Sequence, residues 1–383
     1  MVAIDKQPAA LTAEQRQHLI ESVGLNCDIS DARHAGMYSI CGLALRLRDL
    51  FKWKSGLEPW QEEEPSVVLE WIGEQEALWE SLAERDFVPL RLGGKSYDPL
   101  DADAVNKRLA PSGLFYGAGY AYGLKPTFFL AAVAARREQE GHPVVELGRE
   151  LARDMLTLPA LTQEGTIVVR WEAARMWLWD RMQYVNASGR PALKIALAAA
   201  GVGEAHPKRQ LERLLIAQRD TFLFHELSES RGAVLSADEW RRLTADLRQT
   251  PAELFVRAVR DLLADTAPDG TLVRLVHARN AAAVALYTAF FDGLAREMFP
   301  ELRGAFIAFV ESGKWNRLER ALPVGYERAA AYARRIADLH RCGGAGSEPM
   351  AIAREIEETL LQPLTDGRRK ALEKGATEIN MNP

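Results

Sequence analysis

Gly113-Leu-Phe-Tyr-Gly-Ala-Gly-Tyr-Ala-Tyr-Gly-Leu-Lys-Pro-Thr-Phe-Phe-Leu-Ala-Ala-Val-Ala-Ala-Arg-Arg-Glu-Gln-Glu140 is the stretch on which the fold turns. It is the most apolar part of a chain dominated by alanine, leucine, arginine and glutamate, all good helix formers. The reading is two apolar helices, Leu114–Gly123 and Thr127–Glu140, broken at Pro126 because proline lacks the N–H that a helix interior needs. Gly117 and Gly119 then permit close helix contact, with Tyr116 and Tyr120 on one face. They are no phosphate loop, since no Gly-Lys-Ser/Thr follows.

The same style runs outward in both directions. Thr12 caps a helix to about Val23, with Gln15 at the capping-box position. A second helix is expected from about Asp31 to Lys52, with Ile40, Leu43, Leu47 and Leu50 on one side, and a third from Pro65 or Ser66 to about Arg85. Pro143–Leu156 and Gly165–Val185 read as a further helical pair, although Thr166-Ile-Val-Val-Arg170 is the best strand candidate in the chain. Past Gly/Pro breaks at Asn186–Pro191 and Gly201–Pro207 come Lys208–Glu229, Asp238–Arg248, a helix opened by Thr250-Pro251, and Gly270–Phe299, read as the longest. Gly343–Ser347 reads as a flexible joint. The expected fold is all-α: two packed helical domains, a Trp-rich one over residues 1–195 and a second over 196–383. Helix should reach about 55% or more, with strand under about 5%.

Composition narrows the function. With 48 Lys+Arg against 53 Asp+Glu, the net charge is −5, and general nucleic-acid binding needs a basic face instead. Cys27, Cys41 and Cys342 are too few and too odd in number for a disulfide framework, so free thiols and a cytoplasmic location are expected. Met1-Val-Ala-Ile-Asp-Lys6 has no secretory pattern, and Leu109–Ala135 is interrupted by Lys125-Pro126, so no membrane span is expected. Seven of the nine tryptophans precede residue 200. They read as an aromatic core, with a pocket for a planar ligand as the sharper alternative.

Two polar clusters carry the candidate chemistry. Asn26-Cys-Asp-Ile-Ser-Asp-Ala-Arg-His34 places Asp31 and His34 one helical turn apart, a spacing that presents two metal ligands from one helix. The plainer reading makes Asp28 or Ser30 an N-cap, with Asp31 in a first turn whose dipole favours a carboxylate. His225-Glu-Leu-Ser-Glu229 puts His225 and Glu229 on one face, again able to share a metal, with Glu226 as a candidate base. It starts like the His-Glu-x-x-His zinc motif but lacks the second histidine. A buried His–Glu hydrogen bond serving structure alone is the alternative.

The Asn26–Cys41 segment, including Tyr38-Ser-Ile-Cys41, resembles an uncharacterised bacterial protein family of unknown function. That resemblance implies no activity. The functional expectation is a metal-binding helical protein, in its sharper form a non-haem metal-dependent enzyme, with Asp31, His34, His225 and Glu229 as ligands of Fe, Mn or Zn. Glu226 is the catalytic candidate. Asp28 and Glu172 stand behind the ligands, and His277 is a further candidate to complete the set. The alternative is a non-enzymatic helical interaction or scaffold protein; a homo-oligomer is compatible with either.

Overall fold

The computed structural model describes residues 9–232, 234–342 and 349–366. The Gly343–Ser347 segment lies outside them. The chain divides into two compact units, residues 1–180 and 181–383.

Unit 1 is not all-α. It holds α1 (Ala13–His34), α2 (Ile40–Lys54), α3 (Pro65–Leu82), the short strands β1 (Leu90–Leu92) and β2 (Lys95–Tyr97), and α4 (Ala102–Leu109). Then come β3 (Leu114–Tyr120), β4 (Pro126–Gln139), β5 (His142–Arg153), β6 (Ala160–Gln163), β7 (Thr166–Arg170) and all but the last three residues of α5 (Trp171–Gln183). The two segments expected as apolar helices are β3 and β4, and Pro143–Leu156 is largely β5. Thr166–Arg170 is extended, and α5 follows it directly. With 14 residues in β4 and 12 in β5, the expected ceiling on strand is exceeded by two strands alone.

The correction has a local physical cause. Along β4, Phe128 and Leu130 pack on one side with Tyr116, Val23 and Val105, while Phe129 and Ala131 pack on the other with Phe115, Leu147 and Val168. A strand buried on both faces shows a continuous apolar run rather than alternation. The turns also carry hairpin chemistry. Gly93-Gly94, Glu140-Gly141 and Glu164-Gly165 each have two successive positive φ values, the backbone of a two-residue turn that matches strand twist.

The five large strands are ordered β3-β4-β5-β7-β6, antiparallel except for the β5–β7 pair. Register shifts between β4 and β5 at Leu130, Ala131 and Val133 mark bulges, which bend a sheet. Gly117 faces its register partner Phe129, and a Cβ there would fall 2.0 Å from the Phe129 ring. The glycine does permit a close approach, but between strands.

The N-terminal helices are also redrawn. Thr12 and Gln15 form the expected capping box, but α1 runs on to His34 without a break. Asp28 and Ser30 are therefore interior residues, not N-caps. Cys27 is buried and Cys41 exposed, and both are free thiols; the Cys342 side chain lies outside the described set.

Unit 2 is helical among its described residues: α6 (Arg190–Ala199), α7 (Pro207–Arg231), α8 (Ala237–Asp246), α9 (Pro251–Thr266), α10 (Thr271–His277), α11 (Ala281–Phe290), α12 (Gly293–Met298), α13 (Glu301–Ser312), α14 (Asn316–Cys342) and α15 (Pro349–Ile356). The single long helix expected over Gly270–Phe299 is three short ones. Asn280 accepts from the Ala283 N–H and so starts α11 afresh. Among the described residues, no helix is long and apolar enough to cross a membrane.

Candidate functional site

Asp31 and His34 share the last turn of α1. Asp31 is committed elsewhere. Lys125, in the link between β3 and β4, places Nζ 2.9 Å from Asp31 Oδ1 and 3.1 Å from Asp154 Oδ2. The Met155 N–H donates to Asp31 Oδ2 at 2.9 Å, and Thr127 Oγ1 donates to Asp154 at 2.6 Å. All three charged side chains are sealed from water. Burial pushes Asp31 up to about 7 against the pull of Lys125, with the Asp154 charge adding to the rise. His34 sets Nδ1 2.8 Å from the Ser30 carbonyl, so that nitrogen is the donor, and burial holds the imidazole below its ordinary value. Asp28 accepts from Gln75 at 3.2 Å and pairs with Lys54 at 3.4 Å. Every carboxylate of this cluster thus has a protein partner.

The second cluster is more open. His225 and Glu229 project from one face of α7, with Nε2 3.5 Å from Glu229 Oε1. The His225 Nδ1–H donates to Asp265 Oδ1 at 2.9 Å, and Tyr287 Oη donates to the other Asp265 oxygen at 2.7 Å. Glu229 Oε2 pairs with Arg260 at 2.5 Å. Asp261, one turn before Asp265 on α9, completes a trio: one ligand atom each from His225, Glu229 and Asp261 lie within 4.8 Å of one another. His225 and Glu229 are half-buried and Asp261 is exposed.

Electrostatics ties the group together. Burial works against the charged imidazole, but the charge and hydrogen bond of Asp265, with those of Glu229, raise His225 well above its usual value. Burial likewise resists ionisation of Glu229, and the His225 hydrogen bond and charge, with Arg260, overcome it and bring the carboxyl down to about 2. The charged form of His225 is therefore favoured, clamped between two carboxylates. Glu226, the candidate base, is buried and sits one residue on, about 100° round α7 from His225.

Other expected residues have surroundings of their own. Glu172 borders a polar cavity of unit 1 with Arg153 and Arg175. His277 lines a groove of about 370 Å³ with Glu319, Tyr326 and Glu327. Sequence reading missed Asp261, Asp265, Arg260 and Tyr287. A signal was present: Asp261 and Asp265 stand four apart on a helix otherwise lined by Phe255, Val259, Leu262 and Leu263. Lys125 and Asp154 had no such signal, because only strand pairing brings them to Asp31.

Two family models match the chain. The N-terminal domain of a family of unknown function, DUF6866, matches residues 18–170, and its C-terminal domain matches residues 175–359. No curated protein and no solved structure matches.

Proposed function

The chain belongs to the DUF6866 family, and from the geometry of its own residues we propose that it binds a divalent cation through His225, Glu229 and Asp261. The observation that carries this is the commitment of each ring nitrogen. A metal-binding histidine commonly donates its second N–H to a carboxylate, which fixes the tautomer and aims the free nitrogen. Asp265 does this for His225 and is itself held by Tyr287. Arg260 takes one Glu229 oxygen and leaves Oε1 beside Nε2. Ligands about 2.0–2.2 Å from a cation stand roughly 3–3.5 Å apart, so the His225–Glu229 spacing needs no rearrangement. Asp261 already offers a ligand atom within 4.8 Å of both.

One imidazole with two carboxylates suits Mn, Fe or Zn. Three protein ligands leave positions for water or substrate, where a cation acts as a Lewis acid. That is the enzymatic form of the reading. The cation replaces the proton on His225 Nε2, so binding releases a proton and strengthens with rising pH.

The test is metal analysis of the purified protein, followed by titration with Mn²⁺, Fe²⁺ and Zn²⁺ monitored by calorimetry. One equivalent should bind to the wild type and be lost in His225→Ala, with helix content nearly unchanged. If none of the three cations binds, or binding survives in both His225→Ala and Asp261→Asn, the cluster is an ion pair serving structure only.

A further inference from the structure

The polar cavity of unit 1 is independent of the cation reading. It measures about 150 Å³ and is bordered by Trp53, Glu58, Arg153, Glu172, Arg175 and Met176 among others. That is far below the size of a nucleotide pocket.

Its walls hold unspent hydrogen-bonding capacity. The Arg153 side chain is 1% exposed. It donates from Nη2 to the Asp49 carbonyl at 3.1 Å, its Nε has no acceptor, and its ion partner Glu150 stands 3.9 Å away. A guanidinium carries five N–H donors, and leaving buried donors unpaired is costly. Arg175 reaches Glu58 at 2.9 Å through Nη2, and its Nε likewise has no acceptor. The Trp53 ring lies 5.2 Å from the Arg153 guanidinium carbon. Glu172 accepts from the Glu150 N–H at 2.5 Å. Burial raises its carboxyl and the Glu150 charge adds to the rise, against the pull of the Glu150 N–H, the Arg153 charge and a Trp53 hydrogen bond.

We infer that this cavity binds a small zwitterion, a carboxylate and an ammonium on a short carbon frame as in a small α-amino acid. Its carboxylate meets the forks of Arg153 and Arg175, and its ammonium faces Glu172 and Glu58. Planar bidentate pairing is what guanidinium offers a carboxylate. Glu58 and Glu172, which border the same cavity, disfavour phosphate, which brings only negative charge.

The test titrates the full chain with glycine, acetate, methylammonium and inorganic phosphate at constant ionic strength, reading the melting temperature and tryptophan fluorescence. Glycine should give a saturable response in both, acetate a weaker one, and methylammonium none. Glu172→Gln should reduce the glycine response to the acetate level and leave acetate unchanged. Arg175→Gln should weaken glycine roughly tenfold; that side chain is 31% exposed, so this variant folds even if Arg153→Lys does not. A melting temperature that rises linearly without saturation, a phosphate response stronger than that to glycine, or a glycine response unchanged in Arg175→Gln each overturns the inference.

Discussion

Lys125–Asp31–Asp154 in unit 1 and His225–Glu229–Asp265 in unit 2 are built from the same materials: one cation between two carboxylates. They differ in access to water. The first triad is sealed and its cation is a lysine, which has no acceptor to offer a metal. The second keeps its histidine 29% exposed, and imidazole can exchange a proton for a metal. Burial decides which cluster is a strut and which can do chemistry. A sealed pair gains little net stability over an apolar one, yet it is expensive to break, because the survivor is left charged and dry.

The largest expected effect tests the sealed side. Lys125→Met leaves Asp31 and Asp154 buried without a cation, and urea unfolding should show a loss of about 3–5 kcal/mol. A loss under about 1 kcal/mol would show that the site rewets, and the contrast between the clusters would collapse.

On the open side the cost should be smaller. Without metal, His225→Ala should lose about 1–3 kcal/mol, toward the lower end because water reaches the ring. A loss matching that of Lys125→Met would mean the second cluster is as closed as the first.

The pH dependence sharpens the same point. Glu229, lowered to about 2 from an ordinary 4.5, contributes stability above the ordinary value that is lost as pH falls toward 2. His225, raised above 6.5, contributes fully below that value and loses its contribution as pH climbs through the raised one. The cluster should therefore stabilise most between these ordinary values, with loss on both sides. Urea midpoints at acid, mildly acid and alkaline pH check this. In His225→Gln the acid-side loss should shrink, since His225 is the main favourable influence on Glu229.

Tyr287→Phe should have the smallest effect on folding, about 0.5–1.5 kcal/mol for one hydrogen bond. It should nevertheless weaken metal binding about tenfold if Asp265 aims His225 at a cation. Unchanged cation affinity in this variant would separate the Tyr287–Asp265 bond from the site.

What could be read in advance follows from the range of each interaction. Asp31 with His34 and His225 with Glu229 were legible as pairs because helical spacing is a local property, and all four residues do lie on helices at the expected one-turn intervals. The caps at Thr12 and Thr250 were legible for the same reason. Which partner each pair meets was not. Asp31 faces Lys125 across 94 positions of sequence and Asp154 through a neighbouring strand, and His225 meets Asp265 across 40. Helix-forming composition also misled over β3 to β5. Ala-Ala-Val-Ala-Ala has no intrinsic wish to be a strand, and pairing with β3 and β5 overrides its propensity. The Gly93-Gly94 turn and the two Glu-Gly turns were the local clue that went unread.

By itself, then, the sequence determined the helical character of unit 2, the caps, and the two pairs of candidate ligands, because each depends on residues within about one turn of one another. Only the tertiary structure decided that the most apolar stretch is a sheet buried on both faces, that Asp31 is held by a lysine, and that Asp261 and Asp265 surround His225. Those outcomes depend on contacts between distant segments and on the water they exclude, and neither is written in the spacing of neighbouring residues.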